Sequence, residues 1–287
     1  MLQVARLAPK LLGDSRDLVC GFLRRSINED GGFRDRGGAS DLYYTVFGLE
    51  GLIALAEDVP QATVRYVSRF GDGSGLDFVH LTCLARAWAS VSRTGAPAGV
   101  AAGLSDHLAR YRSKDGGYAA TMPAPLGTPY ACFLATGALQ DLGMPLADPD
   151  AILRCVERNR ARDGGYANHI DAAEGSTPAT AAAVAVIRHL EGEPDPALSQ
   201  WLLARCHTDG GFFAAPRAPM PDLLSTATAL HALAALHADV AGIREACLDF
   251  VDSLWTSIGG FHGTWADDTL DCEYTYYGLL ALGHLSL

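Results

Sequence analysis

Hydrophobic residues in this chain fall into two alternating kinds of segment. Residues 43–55, 78–91, 130–142, 179–190, 223–236 and 274–285 are apolar on nearly every face. A helix of that kind has no solvent side and is buried. Between them lie amphipathic stretches such as 197–205, where apolar residues recur at helical spacing and Arg205 stands in the last turn. The pattern predicts helices in pairs, one half-exposed and one enclosed.

Glycine pairs mark the joints. Gly31-Gly32, Gly116-Gly117, Gly164-Gly165, Gly210-Gly211 and Gly259-Gly260 each precede Phe or Tyr, and the first four follow Asp30, Asp115, Asp163 and Asp209. Glycine just past a helix end adopts the left-handed conformation without a Cβ clash. About ten residues of loop follow each pair before the enclosed segment begins. Spacing between later pairs is 46 to 49 residues, while the first gap of 85 holds a worn copy at residues 71–75. Six units of two helices, one amphipathic and one buried, predict an all-α fold. The expected architecture is an α/α toroid of about twelve helices, with inner and outer rings around a central apolar cavity. Residues 1–287 form one domain on this reading.

Composition narrows the partners. A hydrophobic share of 49% against 19% charge calls for an extensive core. The longest uncharged apolar run, near 175–187, is too short to span a bilayer. Lys10, Asp14 and Asp17 interrupt the N-terminal region, which has no signal-type apolar core. Seven cysteines without a CxxC pair suit a reducing cytoplasm, with thiols as small core residues. A net charge of −11 argues against nucleic acid and anionic membranes as partners. No P-loop, dinucleotide fingerprint, nucleophile elbow or HExxH is present.

When the six enclosed segments are aligned, Asp41, Asp77, Asp222 and Asp271 fall on one position, just before the apolar run; Thr128 and Ser176 stand there in the third and fourth units. Such residues cap helix N-termini by accepting bonds from free N–H groups. In a ring with parallel inner helices, these termini meet at one rim.

The DGGF/DGGY units, together with the DxxYT-x-x-GL pattern that begins at Asp271, resemble the prenyltransferase β-subunit and squalene-cyclase superfamily. The resemblance covers essentially the whole chain. It implies an α/α toroid whose apolar cavity holds isoprenoid chains. For protein prenyltransferases it implies a zinc held by an Asp-x-Cys and a His at the starts of the last two inner helices. Asp222 matches the Asp, but Leu224 occupies the Cys position and Tyr274 the His position. No metal is therefore expected. The weak candidates are Asp222 and a displaced pair, Asp41 and His80; a satisfied histidine is the plainer reading of His80.

For class II terpene cyclases the resemblance implies an Asp-x-Asp-Asp-Thr motif whose middle acid protonates an alkene or epoxide. The matching residues are Asp271-Cys272-Glu273-Tyr274-Thr275, with Glu273 at the acid position and Asp271 at the first. Asp267-Asp268-Thr269 is a more literal echo in the preceding loop, and the QxxxGxW repeats of squalene cyclases are absent. The helix dipole would lower the pKa of Glu273, while an apolar cavity and Asp271 would raise it. Burial wins only if Glu273 faces the cavity. A first-turn acid facing water is the alternative.

The leading expectation is acid-initiated cyclisation or rearrangement of a linear prenyl substrate, a lyase or isomerase reaction. Glu273 would donate the proton and Asp271 would orient it. Tyr43, Tyr44, His80, Tyr274 and Tyr277 would line the substrate pocket, the aromatic faces stabilising a carbocation. Arg34 and Arg217, with Trp265 nearby, would meet a diphosphate, and Mg²⁺ would be needed only in that case; otherwise no cofactor is expected. The alternative is a prenyltransferase-like β subunit, zinc-independent or non-catalytic, that binds a prenyl lipid, a partner subunit or a second copy of itself. The toroid also occurs in sugar-processing enzymes, but these inner helices are too apolar for a glycan.

Overall fold

The computed structural model describes residues 1–92 and 94–287. Its helices in chain order are α1 (Leu2–Ala5), α2 (Pro9–Leu12), α3 (Arg16–Arg25), α4 (Leu42–Ala54), α5 (Gln61–Ser68), α6 (Phe78–Val91) and α7 (Ala98–Ala109). They continue as α8 (Pro129–Asp141), α9 (Pro149–Arg158), α10 (Thr177–His189), α11 (Ala197–Leu203), α12 (Leu223–Ala235), α13 (Arg244–Ser253) and α14 (Cys272–Leu285). The six enclosed segments are α4, α6, α8, α10, α12 and α14. Each packs on the next, and α14 returns to α4, so the inner ring is closed. The odd-numbered helices from α3 to α13 lie outside it. The all-α toroid predicted from the apolar pattern is the fold observed.

α1 lies against α14 and α4. At Gly283 on α14 a Cβ would stand 2.1 Å from the Val4 carbonyl oxygen, so backbone meets backbone there. Among the described residues no helix is long and apolar enough to cross a membrane.

All six capping residues act as caps. Asp41 accepts from the Tyr43 and Tyr44 N–H groups, and Asp77 from His80. Thr128 accepts from Ala131, Ser176 from Ala179, Asp222 from Ser225 and Asp271 from Tyr274. A second set of bonds fixes how the glycine loop meets its inner helix in every unit but the second. The N–H of the aromatic after the glycines donates to a threonine in the first turns of that helix. Phe33 bonds Thr45 at 3.0 Å, Tyr166 bonds Thr180 at 2.9 Å, Phe212 bonds Thr226 at 2.9 Å and Phe261 bonds Thr275 at 3.4 Å. In the third unit Cys132 Sγ takes this part, 3.4 Å from the Tyr118 nitrogen. The glycine loop is also more ordered than a plain connection. Phe33–Arg34 and Ser40–Asp41 form a short antiparallel ladder in the first unit, and single bridges such as Arg160↔Tyr166 mark later ones.

The first two inner helices are tied at the rim. His80 Nε2 lies 3.0 Å from Asp41 Oδ2, and its Nδ1 lies 2.9 Å from Asp77 Oδ1. Both carboxylates favour the imidazolium, led by Asp41, and raise its pKa to about 9. Asp41 and Asp77 are lowered in turn, each with His80 among the causes.

Two predictions follow from packing and charge. Because its folded pKa is raised, His80 contributes stability that is complete below pH 6.5 and is lost as pH rises through about 9. Urea unfolding at successive pH values should show a loss on the order of 1 kcal/mol across that window, solvent screening having reduced the full linkage. His80→Asn should abolish the pH-dependent component. Glycines on the inner ring should split by environment. At Gly48 a Cβ would meet the Phe33 ring at 2.1 Å, so Gly48→Ala should cost about 1–3 kcal/mol. At Gly137 a Cβ would meet nothing within 4 Å, so Gly137→Ala should stabilise by about 0.5–1 kcal/mol in the same assay.

Candidate active site

Counting from the caps shows what faces the centre of the ring. Two residues after each cap stand Tyr43, Val79, Tyr130, Pro178, Leu224 and Glu273, all of them partly exposed although their helices are enclosed. Four residues further on, one helical turn deeper, come Phe47, Cys83, Leu134, Ala182, Thr228 and Tyr277. Three more give Glu50, Arg86, Gly137, Ala185, His231 and Leu280. Contacts between neighbouring inner helices follow these layers. Tyr43 meets Glu273, the Phe47 and Tyr277 rings lie 5.5 Å apart, and Arg86 pairs with Glu50.

The centre is open. Tyr130 keeps 40% of its surface exposed, and the space beside Gly137 holds no atom within 4 Å of a Cβ position. The interior is polar at the mouth, apolar in the middle and polar again at depth.

Glu273 is the one charged side chain of the first layer. The Tyr43 hydroxyl donates to its Oε1 at 2.6 Å. Burial raises its pKa; the Tyr43 bond opposes this, Asp271 adds to it and Arg36 opposes it. The expectation that burial outweighs the helix dipole therefore rests on a residue that does face the interior.

Asp271 is placed differently. It is 4% exposed, caps Tyr274 at 2.9 Å and accepts from Arg36 Nε at 2.8 Å. Burial raises its pKa while these bonds lower it. Both of its oxygens are engaged, so it anchors Arg36 and does not touch Glu273. Arg36 also reaches Asp267 at 3.1 Å and stands 5.4 Å from the Tyr274 ring centroid. The Asp267-Asp268-Thr269 echo is thus a turn that helps hold Arg36: Asp267 Oδ1 accepts from the Thr269 N–H, and its pKa is lowered chiefly by that bond.

The structure brings Glu273, Tyr43, Tyr44 and Tyr274 together around the mouth, with Tyr277 one turn deeper and His80 and Asp41 at its edge. It does not bring the other predicted binders there. Arg217 has 87% of its side chain exposed and pairs with Glu174 at 3.4 Å. Trp265 is turned outward: its indole N–H donates to Ser253 Oγ at 2.8 Å, and its ring stands edge-on to Phe250 of α13. Arg34 is exposed on the short strand. These loops fold back over outer helices, where apolar faces need cover, and their bases point to solvent. Of the bases that the glycine loops supply, Arg36 is the one that reaches the mouth.

The metal of the protein prenyltransferases finds no fit. Leu224 offers no donor. Asp222 spends its oxygens on the Ser225 N–H and hydroxyl, each at 2.7 Å. His80 is held as a cation between Asp41 and Asp77, which leaves neither ring nitrogen a lone pair for a metal. Among the described residues no group of three or more His, Cys, Asp or Glu side chains is placed to hold an ion.

A deeper polar cluster was not foreseen. Glu50 takes the Nε and Nη2 of Arg86 in a two-point pair, and the guanidinium lies 5.9 Å from the Phe47 and Tyr276 ring centroids. Asp141, at the end of α8, has its pKa raised to about 6 by burial, with Arg86 lowering it and Glu50 raising it. His231 Nδ1 and His284 Nε2 lie 3.0 Å apart, and burial lowers their pKa values to about 3 and about 4. Single charges inside otherwise apolar runs were the available signal for Glu50 and Arg86.

Comparison with known proteins adds the following. The sequence profile of the prenyltransferase alpha-alpha toroid domain matches residues 10–70 and 189–286. No curated protein matches the chain in sequence. A crystal structure of a protein from Actinoplanes is 17% identical with a TM-score of 0.67, covering 96% of this chain and 99% of that one. The type II terpene cyclase MstE from Scytonema is 13% identical with a TM-score of 0.63, covering 96% and 97%. Unsaturated glucuronyl hydrolase from Bacillus sp. GL1 is 16% identical with a TM-score of 0.63, covering 98% and 96%. At such identities these structures share the fold and leave the chemistry to the site. With more than half of its length matched by one profile, the chain belongs to the prenyltransferase α/α-toroid domain family.

Proposed function

We propose that this protein cyclises or rearranges a linear isoprenoid by acid catalysis, with Glu273 as the proton donor. One observation carries the reading: of the six side chains two residues past the caps, Glu273 is the one carboxyl, its pKa raised by burial, and it meets an aromatic-lined interior. A protonated Glu273 transfers its proton to a carbon of the terminal alkene. The alkene π pair forms the new C–H bond and leaves a carbocation on the neighbouring carbon. The glutamate formed keeps the Tyr43 hydroxyl as donor, with Arg36 in electrostatic range. Phe47, Tyr130 and Tyr277 present aromatic faces toward the developing cation.

Features of the walls weigh against the other reactions of this fold. The second layer is Phe47, Cys83, Leu134, Ala182, Thr228 and Tyr277, which offers two hydroxyls, one of them bonded back to its own helix, for the many of a sugar. A zinc-dependent transfer lacks its ligands at Leu224 and Tyr274. The cyclase relative was captured with geranylgeranyl dihydroxybenzoate as substrate, an isoprenoid of the class that such an apolar layer suits.

Glu273→Gln should lower product formation from a linear prenyl substrate by about 10²–10⁴-fold while the chain stays folded. Unchanged turnover would remove the assignment; lipid binding without turnover in the wild-type protein would favour the carrier reading. The rate should be highest at low pH and fall as pH rises through the pKa of Glu273, which lies above the ordinary 4.5. Tyr43→Phe removes a donor to the carboxylate, so the falling limb of the pH–rate profile should move to higher pH.

A further inference from the structure

The polar cluster at depth has no part in proton donation, yet it faces the same interior. Asp141 lies on the inward face of α8, one turn beyond Gly137, where the space is open. Asp141 remains partly exposed, and its carboxyl has no hydrogen-bond partner among the described residues. Arg86 commits Nε and Nη2 to Glu50, which leaves Nη1 free of that pair, and 26% of its side chain stays exposed. An acceptor and a donor therefore stand at the end of an apolar passage without protein partners.

Resting on the reading of Glu273 as the acid, we infer that Arg86 and Asp141 form the seat for a hydroxyl at the far end of the substrate, so that the chain takes a linear prenyl alcohol rather than a prenyl diphosphate. The argument is one of charge and satisfaction. Glu50 already neutralises Arg86, and Asp141 adds a carboxyl. A diphosphate would bring further negative charge beside two acids whose charge already balances the two cations near them, Arg86 and the Met1 ammonium, in surroundings that penalise unpaired charge. A hydrocarbon end would strip water from Asp141 and Arg86 and return nothing. A hydroxyl donates to the Asp141 carboxylate and accepts from Arg86.

Reach agrees with this orientation. Tyr43 and Glu50 are seven residues apart on α4, and Tyr130 and Asp141 eleven apart on α8, so mouth and floor are separated by about 10–16 Å. A short prenyl chain spans that distance with its hydroxyl on the floor and its terminal alkene at Glu273. The end that receives the proton is then the end without the polar group. No charged group of the first layer other than Glu273 competes for it.

The test uses three probes with one chain: farnesol, farnesyl diphosphate and the hydrocarbon farnesene, titrated against the full-length protein by intrinsic fluorescence. Farnesol should bind about tenfold tighter than either of the others, the factor that one net hydrogen bond supplies. Asp141→Leu should reduce farnesol to the affinity of farnesene and leave farnesene unweakened. Asp141→Asn, a milder change, should keep farnesol within about threefold and narrow the gap to the diphosphate. Gly137→Leu, which fills the passage, should weaken all three. Equal or tighter binding of the diphosphate would overturn the inference, as would an unchanged farnesol-to-farnesene ratio in Asp141→Leu. Binding of none of the three probes would overturn both this inference and the isoprenoid reading. A preference for farnesol combined with unaltered turnover in Glu273→Gln would sink the acid assignment alone.

Discussion

The fold depends on one recurring hydrogen bond, from the N–H of the aromatic after the glycines to a side chain in the first turns of the inner helix. Threonine accepts it at Thr45, Thr180, Thr226 and Thr275, and Cys132 accepts it in the third unit. Thr45, Thr226 and Thr275 also donate their hydroxyls to the carbonyl of the capping residue four positions earlier. Loop, cap and helix are thereby locked in one geometry. A buried N–H without such a partner would cost about 1–3 kcal/mol, and five of the six units keep it; the second has Leu81 at the accepting position. Repetition of the lock is what starts the inner helices at one level. Equal starts are what make residues two, six and nine past the cap line up as layers.

Layering explains why neighbouring carboxylates in one short sequence differ in role. Asp271 is the cap. Its oxygens are taken by the Tyr274 N–H and by Arg36, so it is structural even though it is enclosed. Glu273, two residues on, falls in the first layer. It meets the interior and one tyrosine hydroxyl, and burial raises its pKa. The same rule separates the acids of the first two units. Asp41 and Asp77 bracket His80 and hold it as a cation, which makes a tie between helices of what resembled a metal pair.

Most of the fold was legible because its determinants are local. Apolar runs, glycine pairs and Asp, Ser or Thr caps each have a short sequence signature, and the ring follows from their period. The threonine lock was also within reach: Tyr166 and Thr180, Phe212 and Thr226, and Phe261 and Thr275 are each fourteen residues apart. For the site, Glu273 could be singled out through its match to the acid position of the Asp-x-Asp-Asp-Thr motif, and the tyrosines through their place on the inner helices. Arg217 and Trp265 were not, because a loop's direction is set by the outer helix it covers, and a sequence does not display that surface. Arg36 could be named as a rim base, but not its fixed place: its partners Asp267 and Asp271 are more than two hundred residues away. The floor was hidden by its rarity, since Glu50 and Arg86 are single charges in apolar helices and meet only when the ring closes.

The central claim is that Glu273 sits in a desolvated, open interior and holds its proton more firmly than a carboxyl in water. Its most direct test is an NMR titration of the Glu273 carboxyl carbon, assigned by difference with Glu273→Gln. The account predicts a midpoint above 4.5. A midpoint at or below 4.5, the behaviour of a first-turn acid facing water and stabilised by the helix dipole, would contradict it.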